Sequence, residues 1–488
     1  MSDEYRAEHD SLGEVRVPAA AYYGAQTMRA VHNFPVSGQR PHPAFVRAMV
    51  QIKRAAALAN VETGRLAREL GHAIVEAADE VLAAVPAQPA RPSPAALVAR
   101  DAAVPSLADQ WVVDPYQAGA GTSHNMNTNE VLANRANEIL GGCRGVYRPV
   151  HPNDHVNMAQ STNDTVPTAL RLIGLDLGDA LCRALDRCAQ AFGAKATEFD
   201  AILKTGRTHL QDAVPIRLGQ EFAAYARVVE RGIVRVRQAL QSLLEIGLGG
   251  TAVGTGLNAE PDYIRFVACH LARAVEHPLR PAGDMVAAMQ SLGDLVALSA
   301  ACRTAAIDLS KIANDLRLMA SGPRTGLGEI RLPAVQPGSS IMPGKVNPVL
   351  CEMLNMVCYQ VLGYDVTITA AAEAGQLELN VMMPVVAHTL AWMLTILEGG
   401  VTAFTEHCVR GIEADAERCR HWLDRSAAMS TALAPLIGYE AAAALTKEML
   451  ETGRGIAELA VEKGLVAPVT LAEVLDPSVM TSPGVAGR

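Results

Sequence analysis

Aromatic side chains are scarce in this 488-residue chain, at 4% against 50% hydrophobic residues overall. The core must therefore be built from Ala, Leu, Val, Ile and Met, mostly good helix formers, and the composition predicts an all-α protein. No two of the nine cysteines form a C-x-x-C pair, and most fall inside helical patterns. That argues against a disulfide framework or a zinc site and reads as reduced core thiols of a cytoplasmic protein. Basic runs are missing as well. The 42 basic and 51 acidic residues leave a formal charge of −9, without the footprint that nucleic-acid binding needs. No stretch approaches about 18 uninterrupted apolar residues, and the start, MSDEYRAEHD, lacks the apolar segment of a signal peptide. The expectation is a soluble, unexported protein with neither a nucleic-acid nor a membrane partner.

Helical periodicity is plentiful. Leu295, Leu298, Cys302, Ala305, Leu309, Ile312, Leu316 and Met319 alternate spacings of three and four, and SGP at 321–323 ends the run. Similar patterns over 167–199, 215–248 and 351–393 predict several long helices packed side by side. One segment stands apart. Residues 83–105, AAVPAQPARPSPAALVARDAAVP, are Ala/Pro-rich and are expected to form an extended surface insertion.

Polar, Gly- or Pro-containing stretches precede the long patterns, where helix starts leave backbone N–H groups free for anions. AGAGTSHNMNTNE (118–130) offers Thr122, Ser123, Asn125, Asn127, Thr128 and Asn129, although turn chemistry alone explains such residues equally well. In QSTND (160–164), Ser161, Thr162 and Asn163 serve either as ligands or as a helix cap. GRTHLQD (206–212) contains Thr208 and His209, and an unperturbed histidine titrates near neutrality. HPNDH (151–155) spaces two histidines four apart, but Pro152 makes a helical zinc pair improbable, so no metal is expected. GLGGTA (247–252) fits the letters of a dinucleotide fingerprint. It follows a helical pattern where that fingerprint needs a strand, so it reads as a helix end. GSSIMPGKVNP (338–348) combines flexible glycines with Ser339, Ser340, Lys345 and Asn347, as a mobile lid with a reactive hydroxyl and a cation would. Together these groups suit a small dianion, with donors arranged for extra negative charge.

GSSIMPGKVNP resembles the signature of the fumarase/aspartase superfamily, and the likeness runs through EHDSLGEVRVPAAAYYGAQTMRA, AGAGTSHNMNTNEVLANRA, HVNMAQSTND, GRTHLQDAVPIRLGQEF, TAVGTGLN, IGYEAAA and DPSVMTSP. It implies an elongated all-α helix bundle and a homotetramer whose active sites are shared between subunits. N-terminal (1–160), central bundle (161–416) and small C-terminal helical (417–488) domains are expected. The implied reaction is anti elimination from a substituted succinate to fumarate through an aci-carboxylate, without cofactor. By motif, the resemblance implies that Ser339 is the base and that Lys345, Asn347 and Thr208 hold one carboxylate. Thr122, Ser161, Thr162 and Ser340 would bind the carboxylate that gains charge. Asn163 and His209 would lie near the leaving group, with Glu352 orienting the histidine. His151, Asn153 and Asp154 would mark a secondary carboxylate site.

GAGTS, QSTND, AAEAGQLELNVM and ETGRG look like aspartases, whereas HPNDH and CEMLNMVCYQV look more like class II fumarases. Met383 departs from the aspartase wording NVMEP, and the 83–105 insertion lengthens a connection that is short in the superfamily. The expected reaction is loss of ammonia from L-aspartate, with loss of water from L-malate as the alternative. A dinucleotide-dependent oxidoreductase and a non-catalytic scaffold are the more distant rivals.

Overall fold

The computed structural model describes residues 4–89 and 106–485. The helices are α1 (Ala25–Asn33), α2 (Pro43–Glu62), α3 (Arg68–Ala84), α4 (Thr122–Ile139), α5 (Thr162–Glu198), α6 (Leu218–Ser242), α7 (Pro261–Val275), α8 (Met285–Gln290), α9 (Gly293–Met319), α10 (Val349–Glu373), α11 (Met383–His407), α12 (Ala416–Arg425), α13 (Ala434–Ile437), α14 (Tyr439–Thr452), α15 (Ile456–Glu462) and α16 (Pro468–Val474). Strands form only four two-stranded ribbons among the described residues: β1–β2 (Tyr5–Asp10, Gly13–Pro18), β3–β4 (Leu203–Thr208, Gln211–Arg217), β5–β6 (Glu245–Ile246, Arg280–Pro281) and β7–β8 (Ile330–Arg331, Glu413–Ala414). The all-α expectation holds.

The chain divides into two compact units. One comprises Met1–Cys182, Val234–Ala306 and Tyr359–Glu398; the other comprises Arg183–Ile233, Ile307–Cys358 and Gly399–Arg488. In the first unit, α2, α3 and α4 bury Val50, Ile74, Val81, Leu132 and Ala136 around Trp111. In the second unit, five of the scarce aromatics, Phe192, Phe199, Phe222, Tyr225 and Phe404, form one edge-and-tilt cluster with centroids 5.0–6.2 Å apart. A separate core in this unit joins Leu433, Leu445, Leu459, Leu471 and Val474.

Several helices start or stop where the sequence pattern does not indicate. The 167–199 pattern begins earlier, at Thr162, because Ser161 caps it: Asn163 N donates to Ser161 Oγ (3.1 Å) and Ser161 N donates to Asp164 Oδ1 (2.9 Å). The single run expected over 351–393 is two helices. Asn380 makes the break, its Nδ2 donating to Ala371 O and Ala372 O at the end of α10 and its Oδ1 accepting from Met382 N before α11. Met383 is fully buried at the start of α11, so the departure there is a packing residue. The stretch Met383–Gly411 is long and apolar enough to cross a membrane by length and composition, and 56% of an apolar 18-residue window within it is buried in the protein, as in a core helix.

KTGRTHLQDAVP, expected as a polar loop, is instead the β3–β4 hairpin. Lys204 and Thr205 are buried, and the two-residue tip consists of His209 and Leu210. Residues 83–84 complete α3 rather than opening the Ala/Pro insertion, and most of that insertion, 90–105, lies outside the described residues. GLGGTA is not a helix end. α6 stops at Ser242, the two-residue strand β5 precedes Gly247, and turns follow until Pro261.

Candidate active site

The first group of site residues lies at the starts of α4 and α5, in the first unit. Ala120 and Gly121 take left-handed φ values of 60° and 89°, and this bend starts α4 at Thr122. Gly119 must be glycine because a Cβ there would meet Val381 at 2.9 Å, while Ala120 N donates to Val381 O (2.9 Å). GAGTS is thereby fastened to the LNVM segment. Thr122 is exposed and Ser123 half-buried. Asn127 and Thr128 have structural roles: Asn127 bonds Gln110 O and Val112 N, and Thr128 accepts from the Trp111 indole.

Ser161, Thr162 and Asn163 stand half-exposed or capped at the α5 start. Thr162 Oγ1 accepts from Asn125 Nδ2 (3.2 Å), and Asn163 Nδ2 donates to Ala252 O (2.9 Å). Beneath them Asp164 is fully buried and accepts from Ser161 N, Gly249 N (3.1 Å) and Thr251 N (2.9 Å). The GLGGTA amides thus bind a carboxylate of the chain itself. Burial pushes Asp164 up to about 7 against those three amides and Lys53, and burial pulls the Lys53 ammonium down to about 7 against Asp164. Lys53, Asn157, Gln160 and Asp164 are the residues that the sequence reading left without a role. The only signal was one lysine inside the apolar pattern of α2, and its partners lie about a hundred positions further on.

Gly24, in YYGAQT, sits where Glu8, Glu130 and Tyr147 converge; a Cβ there would meet Tyr147 Oη at 1.9 Å. Glu130, buried and pushed up to about 7 by desolvation, accepts from Gly24 N, Gln26 N and the Thr27 hydroxyl, and so caps α1. The adjoining cavity, about 570 Å³, is lined in part by His9, Arg29, Ser123, His151 and Asn153. His151 Nδ1 accepts from Asn153 N and Asp154 N (3.3 Å each), so that nitrogen carries no proton. The 3.3 Å approach of Asp154 Oδ2 to the same nitrogen is therefore proximity rather than a hydrogen bond.

The second group lies in the second unit. Gly338 N donates to Lys345 O (2.8 Å) and Asn347 Nδ2 to Gly338 O (2.6 Å), closing the 338–347 loop at its base. A Cβ on Gly338 would meet Lys345 O at 2.5 Å, so only glycine permits this closure. Ser339 Oγ accepts from Met342 N (2.9 Å) and Ile341 N (3.2 Å), two donors on one hydroxyl oxygen. Ser340 and Lys345 are exposed.

Thr208 and His209 ride on the β3–β4 hairpin. His209 and Leu210 both adopt left-handed φ, 56° and 60°, a turn that Asn-Gly normally supplies. Strain of this kind needs a firm base. Arg207 Nη1 bonds Glu329 Oε1 (2.8 Å), while Lys204 Nζ reaches Glu221 Oε1 (2.9 Å) and Glu329 Oε2 (3.2 Å) in the buried interior. Glu352, in the first turn of α10, lies 3.9 Å from Arg317, its ion-pair partner here. No cluster of three or more His, Cys, Asp or Glu able to hold a metal occurs among the described residues.

Residues 95–363 match the lyase family and residues 429–482 match the fumarase C C-terminus. The chain belongs to the fumarase/aspartase family of lyases. An aspartate ammonia-lyase from Bacillus sp. is 49% identical over 488 residues, covering all of both chains. A class II fumarate hydratase from Neisseria meningitidis is 44% identical over 479 residues, 98% of this lyase and 99% of that protein. Among solved structures, a fumarate lyase:delta crystallin from Brucella melitensis bound to cobalt superposes with a TM-score of 0.90 at 46% identity, over 98% of this lyase and all of that chain. Recombinant class II fumarase from Schistosoma mansoni superposes at 0.91 and 35% identity, over 98% and 99%. The fold is thus the fumarase/aspartase one.

Proposed function

We propose that this lyase is an aspartate ammonia-lyase, removing ammonia from L-aspartate to give fumarate with Ser339 as the base. The observation that carries the base assignment is the pair of amides aimed at Ser339 Oγ, from Ile341 and Met342. A hydroxyl is a poor base unless its alkoxide is stabilised, and two N–H donors on its oxygen do that. Lys345, five positions on from Ser340, adds a cation on the same closed loop.

In this reading Thr122, Ser161, Thr162 and Ser340 hold the carboxylate that becomes an aci-carboxylate, and Lys345, Asn347 and Thr208 hold the other. Asn163 and His209 attend the leaving amine and Glu352 supports the histidine. No organic cofactor takes part. Several relatives named aspartate ammonia-lyase at 47–49% identity favour ammonia as the leaving group. The division at 160 and 416 belongs to the same proposal, supported by separate apolar clusters over 46–156 and 433–474. The homotetramer is supported by large apolar side chains left exposed on two long helices: Ile307 and Leu318 on α9, and Met356, Tyr359 and Val366 on α10. Cytoplasmic location is proposed with it.

The alternative, hydration of fumarate, draws its support from one observation: His151 and Asn153, though not Asp154, line the cavity described above. Fumarate absorbance from purified protein distinguishes the two. L-aspartate is expected to yield fumarate and L-malate none; fumarate from malate alone overturns the ammonia-lyase assignment.

A further inference from the structure

Lys53 has no exposed surface and takes no part in the chemistry described above. An ammonium can only donate, and Lys53 Nζ donates to Asn157 Oδ1 and to Gln160 Oε1, both at 2.9 Å. This fixes which end of each amide faces the cation. Asn157 Oδ1, so turned, also accepts from Asn125 Nδ2 (3.2 Å) and Asn129 Nδ2 (3.3 Å). Asn125 therefore presents its nitrogen inward, and that same nitrogen donates to Thr162 Oγ1 at 3.2 Å while its oxygen faces Thr165 Oγ1 at 3.5 Å. Both hydrogens of the Asn125 amide are then used.

A threonine hydroxyl has one proton to give. Thr162 accepts from Asn125, so its proton points away from the amide, and among the described residues Thr162 Oγ1 has no acceptor of its own. We propose that Lys53 is a positioning residue which, through Asn157 and Asn125, turns the Thr162 hydroxyl so that it donates to the substrate carboxylate that gains charge. This rests on the placement of Thr162 in the proposed function. Remove the cation and the shortest contact on the Asn157 oxygen is lost, leaving only the long Nδ2–Gln160 O and Asn129 Nδ2–Oδ1 bonds (3.3 Å each) to oppose a flip that offers a nitrogen to Asn125. The Asn125 amide then flips in response, and its oxygen draws the Thr162 proton inward. The hydroxyl is left presenting a lone pair to a developing dianion.

A donor that is already aimed needs no reorganisation as charge develops, so misaiming it lowers kcat on the order of 10²-fold and changes KM much less. The test is a double-mutant cycle on purified full-length tetramer with Lys53→Met and Thr162→Val. If Lys53 acts through Thr162, the double variant turns over within about threefold of Thr162→Val alone. Multiplicative losses, or a Lys53→Met effect confined to KM, overturn the proposal, because a merely structural lysine behaves so.

Lys53→Met leaves Asp164 buried beside a lost cation and can fail to fold. Asn125→Ala then runs the same cycle, removing the last link while keeping the ammonium, with the same two results decisive. If Thr162→Val itself keeps wild-type kcat, the assignment of Thr162 fails first and the relay falls with it. An impaired Thr162→Val with multiplicative losses refutes the relay alone.

Discussion

Replacing Ser339 by alanine is expected to lower kcat by about 10²–10⁴-fold, the usual contribution of a positioned general base. The fold should survive. Ser339 lies on an exposed loop whose closure depends on Gly338, Lys345 and Asn347 rather than on the serine hydroxyl. Losing the hydroxyl frees only the Ile341 and Met342 amides, which water can satisfy. Steady-state fumarate release, with sedimentation to check that the oligomer is unchanged, measures the effect. Turnover near wild type in an intact oligomer would remove Ser339 from the role of base.

Lys345→Met is expected to lower kcat/KM by about 10²–10³-fold, as for loss of one strong donor to developing or bound charge. The substitution is clean because the backbone at 345 does the structural work: Lys345 O accepts from Gly338 N and Lys345 N donates to Met342 O. Among the described residues, the exposed ammonium makes no ion pair that its removal would break. Methionine keeps the length of the side chain and drops its charge. Lys345→Arg retains charge but spreads it over a planar fork, so partial recovery of activity is expected, and full recovery by Met would show that the cation is dispensable. Kinetics with L-aspartate across a range of concentrations separates loss of binding from loss of turnover.

The long helices were legible because one face of each is buried over many turns; the α9 seam from Leu295 to Met319 was read residue by residue, and those positions are buried. The chemistry-bearing loops were legible by composition, since Gly, Ser, Lys and Asn have little reason to gather between apolar helices. The β3–β4 hairpin was not. Its tip is His-Leu rather than Asn-Gly, and its left-handed turn is held by the Lys204, Glu221, Glu329 and Arg207 cluster, whose members are spread over more than a hundred residues. The break between α10 and α11 was hidden because apolar residues continue through it and a single Asn380 side chain caps both ends. Lys53 was hidden for a similar reason: on a helix one lysine reads as a surface residue, and only tertiary structure brings Asn157 and Gln160 to its ammonium.

GLGGTA shows the converse. Its letters matched a dinucleotide loop, but the amides of Gly249 and Thr251 are spent on Asp164 and no helix follows them directly. The glycine at 249, with φ of 97° and Ile264 2.7 Å from where its Cβ would sit, is required by packing rather than by a pyrophosphate.

The proposed reaction adds and eliminates ammonia across fumarate with a base on one face of the substrate. Proton NMR of the product formed from fumarate and ammonium in D2O tests it most directly. The predicted result is L-aspartate carrying one deuteron at C3 as a single diastereomer, the mark of anti addition. Deuterated malate in its place, or aspartate with deuterium scrambled over both C3 positions, would contradict it.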